Sequence, residues 1–198
     1  MDLKDEKIRV IIAVSAAICS ICLLALPVWA IKGEKTYVFA ASACPPWKTK
    51  PHDKHAKYIA QSCRNDVEIF TRSVKEALSV PSDNIFSILN EQATYEGLKK
   101  GLREFADLVP TKGSRVIMLF NFHGVLSDVT LSGKNGSRDE VLVLWTEDKP
   151  FTLLSALALK QWISAEELRG MIDAVRADEI VIVIDACHSD GAAPEIIK

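Results

Sequence analysis

Apolar and polar positions along the chain fall into two periods. From Asp66 the apolar residues Val67, Phe70, Val74 and Leu78 recur at steps of three and four, the spacing of one buried face on an α-helix. Pro81 with Ser82 and Asp83 ends that helix. Thr94 stands where its hydroxyl can cap a second helix running through Leu98, Leu102, Phe105 and Val109, closed by Pro110 and Gly113. Ser164, with Glu167 three residues on, forms a capping box ahead of the stripe Leu168, Met171, Ile172 and Val175.

Between these helices lie apolar runs of strand length: Thr36–Cys44, Asn84–Asn90, Arg115–Gly124 ("RVIMLFNFHG") and Glu179–Asp185 ("EIVIVID"). The last two lack polar alternation, which suits strands covered on both faces, as in a parallel sheet. Residues 45–57 form a polar loop, and 128–145, two apolar stretches around Gly and Asn, predict a hairpin. Strand and helix alternate, so the expected fold is α/β with a largely parallel central sheet and helices on both faces, a three-layer sandwich.

The N-terminus breaks this pattern. Val10 to Ile31 carries no charged residue over 22 positions, and about 20 apolar residues span a bilayer as a helix. After a polar tail, residues 1–9, the run at 10–31 therefore predicts an N-terminal hydrophobic helix. It reads as a single-pass membrane anchor holding an extracytoplasmic domain. The alternative is a secretory signal peptide, because Val28-Trp29-Ala30 resembles a small-x-small cleavage site. Residues 36–198 make the domain. Basic residues flank the run on both sides, so charge does not orient it.

Composition narrows the picture further. The chain has 198 residues, 48% of them hydrophobic, and a net charge of −2. It can bury a core, and it lacks the basic footprint of a nucleic-acid binder. Five cysteines are too few for a disulfide-dense scaffold. Cys19 and Cys22 lie in the apolar run as packing residues. Cys44 and Cys63 can pair if the domain is exported. The spacing Cys44, His52, His55, Cys63 matches no familiar zinc pattern, and no metal site is expected.

Two apolar strands end on reactive groups, one at His123-Gly124 and the other at Asp185-Ala186-Cys187. In open parallel sheets ligands bind beyond the carboxyl ends of the strands. If these strands are neighbours, imidazole and thiol share one crevice. A thiolate attacks an amide carbonyl while an imidazole protonates the leaving amine. Backbone N–H groups of Gly124 and Cys187 are candidates to receive the oxyanion.

The segments "FNFHG" (120–124) and "VIVIDACHSDGA" (181–192) resemble the two catalytic signatures of caspase-like cysteine proteases, closest to the metacaspases and their bacterial relatives. "SCRNDVEIF", "GSRDEVLVL" and "WISAEELRGMID" resemble further family stretches in the right order. The resemblance implies a caspase-like sandwich and a cysteine endopeptidase with His123 and Cys187 as its dyad. It also implies a pocket for Arg or Lys containing Asp66 and Asp185, with Cys63 and Asn121 lining it. Asn121 stands where relatives often carry Ser, and Asp190 where they carry Gly. The family's small-subunit strands are not expected within these 198 residues. A small-subunit-like partner chain or self-association is therefore an expected partner beside the polypeptide substrate. No cofactor is expected; calcium enters through the resemblance alone. A non-catalytic, membrane-tethered scaffold or regulator is the competing reading.

Overall fold

In chain order, the computed structural model contains strand β1 (Lys7–Ile12), β2 (Thr36–Ala43), helix α1 (Lys54–Leu78), β3 (Ile85–Leu89), α2 (Tyr95–Leu108), β4 (Arg115–Ser127), β5 (Asp139–Val143), β6 (Trp162–Ser164), α3 (Ala165–Ile172) and β7 (Glu179–Asp185). The structure describes residues 7–12, 35–44, 54–127, 139–145 and 160–186, with side chains for 35–44, 61–125, 141–145 and 160–186.

The strands make one mixed sheet. Its main path runs β1-β7-β4-β2-β3, and every pair along that path is parallel. β5 joins β4 antiparallel and β6 joins β5 antiparallel. The expected α/β class and mostly parallel sheet are therefore present.

Side-chain alternation on β4, β7 and β2 splits the core in two. Ile117, Leu119, Val181, Val183, Val38 and Ala40 pack with Val67, Phe70 and Val74 of α1. On the other face Met118, Phe120, Ile182, Ile184 and Phe39 pack with Leu98, Leu102 and Phe105 of α2 and Leu168 and Ile172 of α3. Phe39 centres that second core, its ring 5.3 Å from Phe105 and 5.8 Å from Phe120. A buried ring of this kind contributes about 1.5–3 kcal/mol through the apolar area it removes from water.

Local chemistry sets the helix starts. The Thr94 side chain accepts from Gly97 N–H and caps α2. At α3 both halves of the Ser164–Glu167 capping box are made. At the amino ends of the central strands the Arg115 Nε donates to Glu179 Oε2 at 2.6 Å. Beside that pair Gly113 turns with φ 74°, a left-handed conformation that glycine adopts without a Cβ clash, and its N–H reaches Asp178 Oδ2 at 2.7 Å.

Four expectations are corrected. α1 begins at Lys54, twelve residues before Asp66, and takes in the end of the expected loop; the apolar period continues back from Val67 through Cys63, Ala60 and Ala56, but on small residues set among Lys54, His55 and Lys57, which weakens the signal. β4 does not stop at His123-Gly124 but continues to Ser127 by pairing with β5. The hairpin is thus β4–β5, with its first arm earlier than expected; residues 128–138 lie outside the described residues. β6, three residues long, is too short to show a period.

The fourth correction concerns the N-terminal run. Its first three residues, Val10–Ile12, belong to strand β1, paired with β7 from Lys7↔Glu179 to Ile12↔Ile184. Ile8, Val10, Ile11 and Ile12 are β-branched and suit an extended chain, and β7 would otherwise present a bare edge. Residues 13–34 lie outside the described residues. Among the described residues no helix is long and apolar enough to cross a membrane.

Candidate active site at the carboxyl ends of the strands

β4 and β7 are adjacent, and their register pairs Asn121 with Asp185. Asn121 is two residues beyond Leu119 and Asp185 two beyond Val183, so both continue the stripe that faces α1. α1 answers with Cys63 and Asp66, three residues apart and therefore on one face of the helix. The Asn121 Nδ2 donates to Asp66 Oδ2 at 3.3 Å, and the Cys63 Sγ lies 4.0 Å from Asn121 Oδ1. Cys63, Asp66, Asn121 and Asp185, named from the sequence as one group, are brought together at the carboxyl ends of the strands.

The electrostatics of this corner are one-sided. Asn121 is buried and both aspartates are partly buried. Burial, and then the charge of Asp66, push the Asp185 carboxyl above its ordinary value of 3.8. Among the described residues no cation is paired with either acid.

His123 follows Asn121 by two, on the same face by the pleat, while Phe122 packs into the opposite core. Its backbone already pairs with Val143 of β5 rather than with β7. Burial lowers its pKa from the ordinary 6.5, so at neutral pH the ring is the uncharged form that can take a proton from a thiol. Gly124 is paired with Leu142 and partly buried. Cys187 and Asp190 lie outside the described residues; Ala186, the last described residue, precedes Cys187 directly.

Sequence reasoning left the Cys44–Cys63 pairing open. The structure joins them in a disulfide, with Cα atoms 6.0 Å apart, inside the range of about 4.4–6.8 Å that such bonds require. The zinc spacing considered above thus contains two sulfurs bonded to each other; His52 and His55 lie outside the residues whose side chains are described. Among the described residues no group of three or more His, Cys, Asp or Glu is gathered to hold a metal.

Asn90 was missed. It is buried, has φ 44°, and its Oδ1 accepts the N–H of Cys44 at 3.4 Å, fixing the residue where β2 leaves the sheet. The sequence signal was an Asn directly after a strand, since Asn tolerates the left-handed conformation.

No family model matches the chain, and no curated protein matches it either. Among solved structures, that of protein GSU0716 from Geobacter sulfurreducens is similar, with a TM-score of 0.50 and 18% identity over 78% of this chain. The match takes in 51% of that protein, so this chain spans about half its length. At such identity the likeness concerns the fold alone.

Proposed function

We propose that the chain carries a cysteine endopeptidase site in which Cys187 is the nucleophile and His123 its base. Asp66 and Asp185 form the pocket for an Arg or Lys side chain preceding the scissile bond. One observation carries the reading: β4 and β7 are neighbours in a register that sets Asn121 opposite Asp185. Carried two residues further, the same offset of 64 would bring position 187 level with His123, where β4 has turned to pair with β5. Neighbouring strands are about 4.8 Å apart, and residue 187 is one peptide step, about 3.8 Å between Cα atoms, beyond Ala186. The resemblance to caspase-like proteases, closest to metacaspases, supports the same roles.

The proposed chemistry runs between this corner and Cys187. A neutral His123 accepts the thiol proton, and the thiolate adds to the amide carbonyl. The developing oxyanion is received by backbone N–H groups, those of Gly124 and Cys187 being our candidates. His123 then returns the proton to the departing amine, leaving an acyl-enzyme that water hydrolyses. Two mutually repelling carboxylates gain most from a guanidinium, which relieves the repulsion and offers paired N–H donors. Calcium dependence stays part of the resemblance.

We place the domain outside the cytoplasm, anchored by residues 10–31 or released after cleavage near Ala30. The Cys44–Cys63 disulfide supports an oxidising compartment. Either route requires β1 to leave β7. A span from Val10 to Ile31 has its ends on opposite sides of a bilayer, whereas β1 and β2 share one sheet; cleavage near Ala30 removes β1 altogether.

The test is hydrolysis of peptides with Arg, Lys or Asp before the scissile bond. Cleavage after Arg or Lys is expected. It should be abolished in Cys187→Ala and reduced roughly 10²–10⁴-fold in His123→Ala. A folded chain that cleaves none of them, alone or with a small-subunit-like partner, would support the scaffold reading instead.

A further inference from the structure

The apolar residues that hold α1 to the sheet, Val67, Phe70 and Val74, all follow Asp66 in sequence. On the other side of Asp66 the described attachment is Cys63, one turn earlier and bonded to Cys44. Cys44 sits at the carboxyl end of β2, its N–H held by Asn90. Cys63 also lies against Asn121, which donates to Asp66. A continuous path of contacts therefore runs from Asn90 through the disulfide to the acidic pocket, closed by a single helical turn between Cys63 and Asp66.

The pocket needs such a tie. Asp66 and Asp185 repel, and the amino-terminal half of α1, whose last residues include Asp66, relieves that repulsion by moving away from the sheet. Among the described residues, the apolar packing of Val67 and Phe70 resists the movement from one side only.

We propose that the Cys44–Cys63 disulfide is a positioning bond for the acidic pocket: it holds the turn from Cys63 to Asp66 against the sheet and thereby sets the affinity of the pocket for a cationic side chain. The proposal rests on the pocket reading given above. Reduction undoes it in a balanced exchange. A thiolate of an added dithiol attacks one of the two sulfurs, the S–S bond breaks, and the second thiol of the reagent resolves the mixed disulfide. Cys44 and Cys63 gain two electrons and two protons, and the reagent leaves as its cyclic disulfide. Both cysteines are buried, 5% and 4% exposed, so the exchange waits on local opening of this corner.

The experiment uses the full chain with Cys187→Ala, so that no thiol at that position intervenes, and benzamidine as the cationic probe. Binding is measured calorimetrically on the oxidised chain, after reduction with dithiothreitol, and after reoxidation. It is also measured on a Cys44→Ala/Cys63→Ala variant, while hydrogen exchange follows residues 61–66. Reduction is expected to weaken binding at least about fivefold and to speed exchange at 61–66 without affecting β4 and β7. Reoxidation should restore both, and the double variant should behave as the reduced chain and ignore the reductant. Equal affinity in the two redox states overturns the positioning role and leaves the pocket standing. Absence of benzamidine binding in every form overturns the pocket, and this proposal with it. Because reduction and reoxidation act on one folded sample, the outcome does not depend on the double variant folding.

Discussion

β4 and β7 meet charge at both ends and treat it in opposite ways. At the amino ends Arg115 stands opposite Glu179, and the two side chains, 10% and 16% exposed, are joined at 2.6 Å. At the carboxyl ends the same register sets Asn121 opposite Asp185, and the charge that Asp185 feels is another carboxylate, Asp66. The first end sets a cation against an anion and ties the two strands together. Among the described residues the second carries an acid pair with no paired cation, an arrangement that raises the Asp185 carboxyl and makes this corner the candidate binding place.

The largest effect is expected where the charge is already matched. Arg115→Leu removes the guanidinium from a mostly buried carboxylate. Urea denaturation at neutral pH should show a loss of about 3 kcal/mol, with benzamidine affinity at the far end of the strands unchanged. A loss confined to a few tenths of a kcal/mol would mean that the pair at the amino ends is no more important to stability than an exposed ion pair.

How much of each end was readable in the sequence follows from range. The caps at Thr94 and Ser164 are chemistry within four residues, and both are made as expected. The strands β2 and β7 fall within a residue or so of their apolar runs, because a strand buried on two faces has little freedom in composition; β3, at the edge of the main path, was set by the Pro81–Asp83 and Asn90 stops on either side of it. Asp66, Asn121 and Asp185 were grouped through the family resemblance; the sheet register sets Asn121 beside Asp185, and α1 brings Asp66 to Asn121. What escaped was decided at a distance. The extension of β4 depends on β5, and the conversion of Val10–Ile12 to strand depends on the open edge of β7. The Arg115–Glu179 pair spans 64 residues, and no local pattern announces it.

A smaller effect with the opposite sign is expected for Asp185→Asn. The folded-state pKa of Asp185 lies above its ordinary 3.8, so between the unfolded and folded values the native chain binds more protons. Wild-type stability therefore falls as pH rises through that window and stays lower above it. The variant has no such group. Its melting temperature should match wild type near about pH 3 and exceed it at neutral pH, while preference for Arg or Lys before the scissile bond disappears. A constant difference across that range would remove Asp185 as the strained member of the site.

The smallest effect separates the two causes acting on Asp185. Burial comes first and the charge of Asp66 second, so Asp66→Asn should move the Asp185 carboxyl only part of the way back toward 3.8. Carboxyl-carbon NMR titration of the labelled chain reads this directly. The substitution also alters the hydrogen bond from Asn121, which an Asn at position 66 can still accept through its amide oxygen, so the local geometry has a means of surviving. A complete return to 3.8 would make repulsion the whole cause, and the pocket would then be an open surface pair screened by salt. A partial return means that the low-dielectric surroundings of Asp185 outlast the loss of its neighbour. In such surroundings a single bound cation is worth more than it would be at the exposed rim of the sheet.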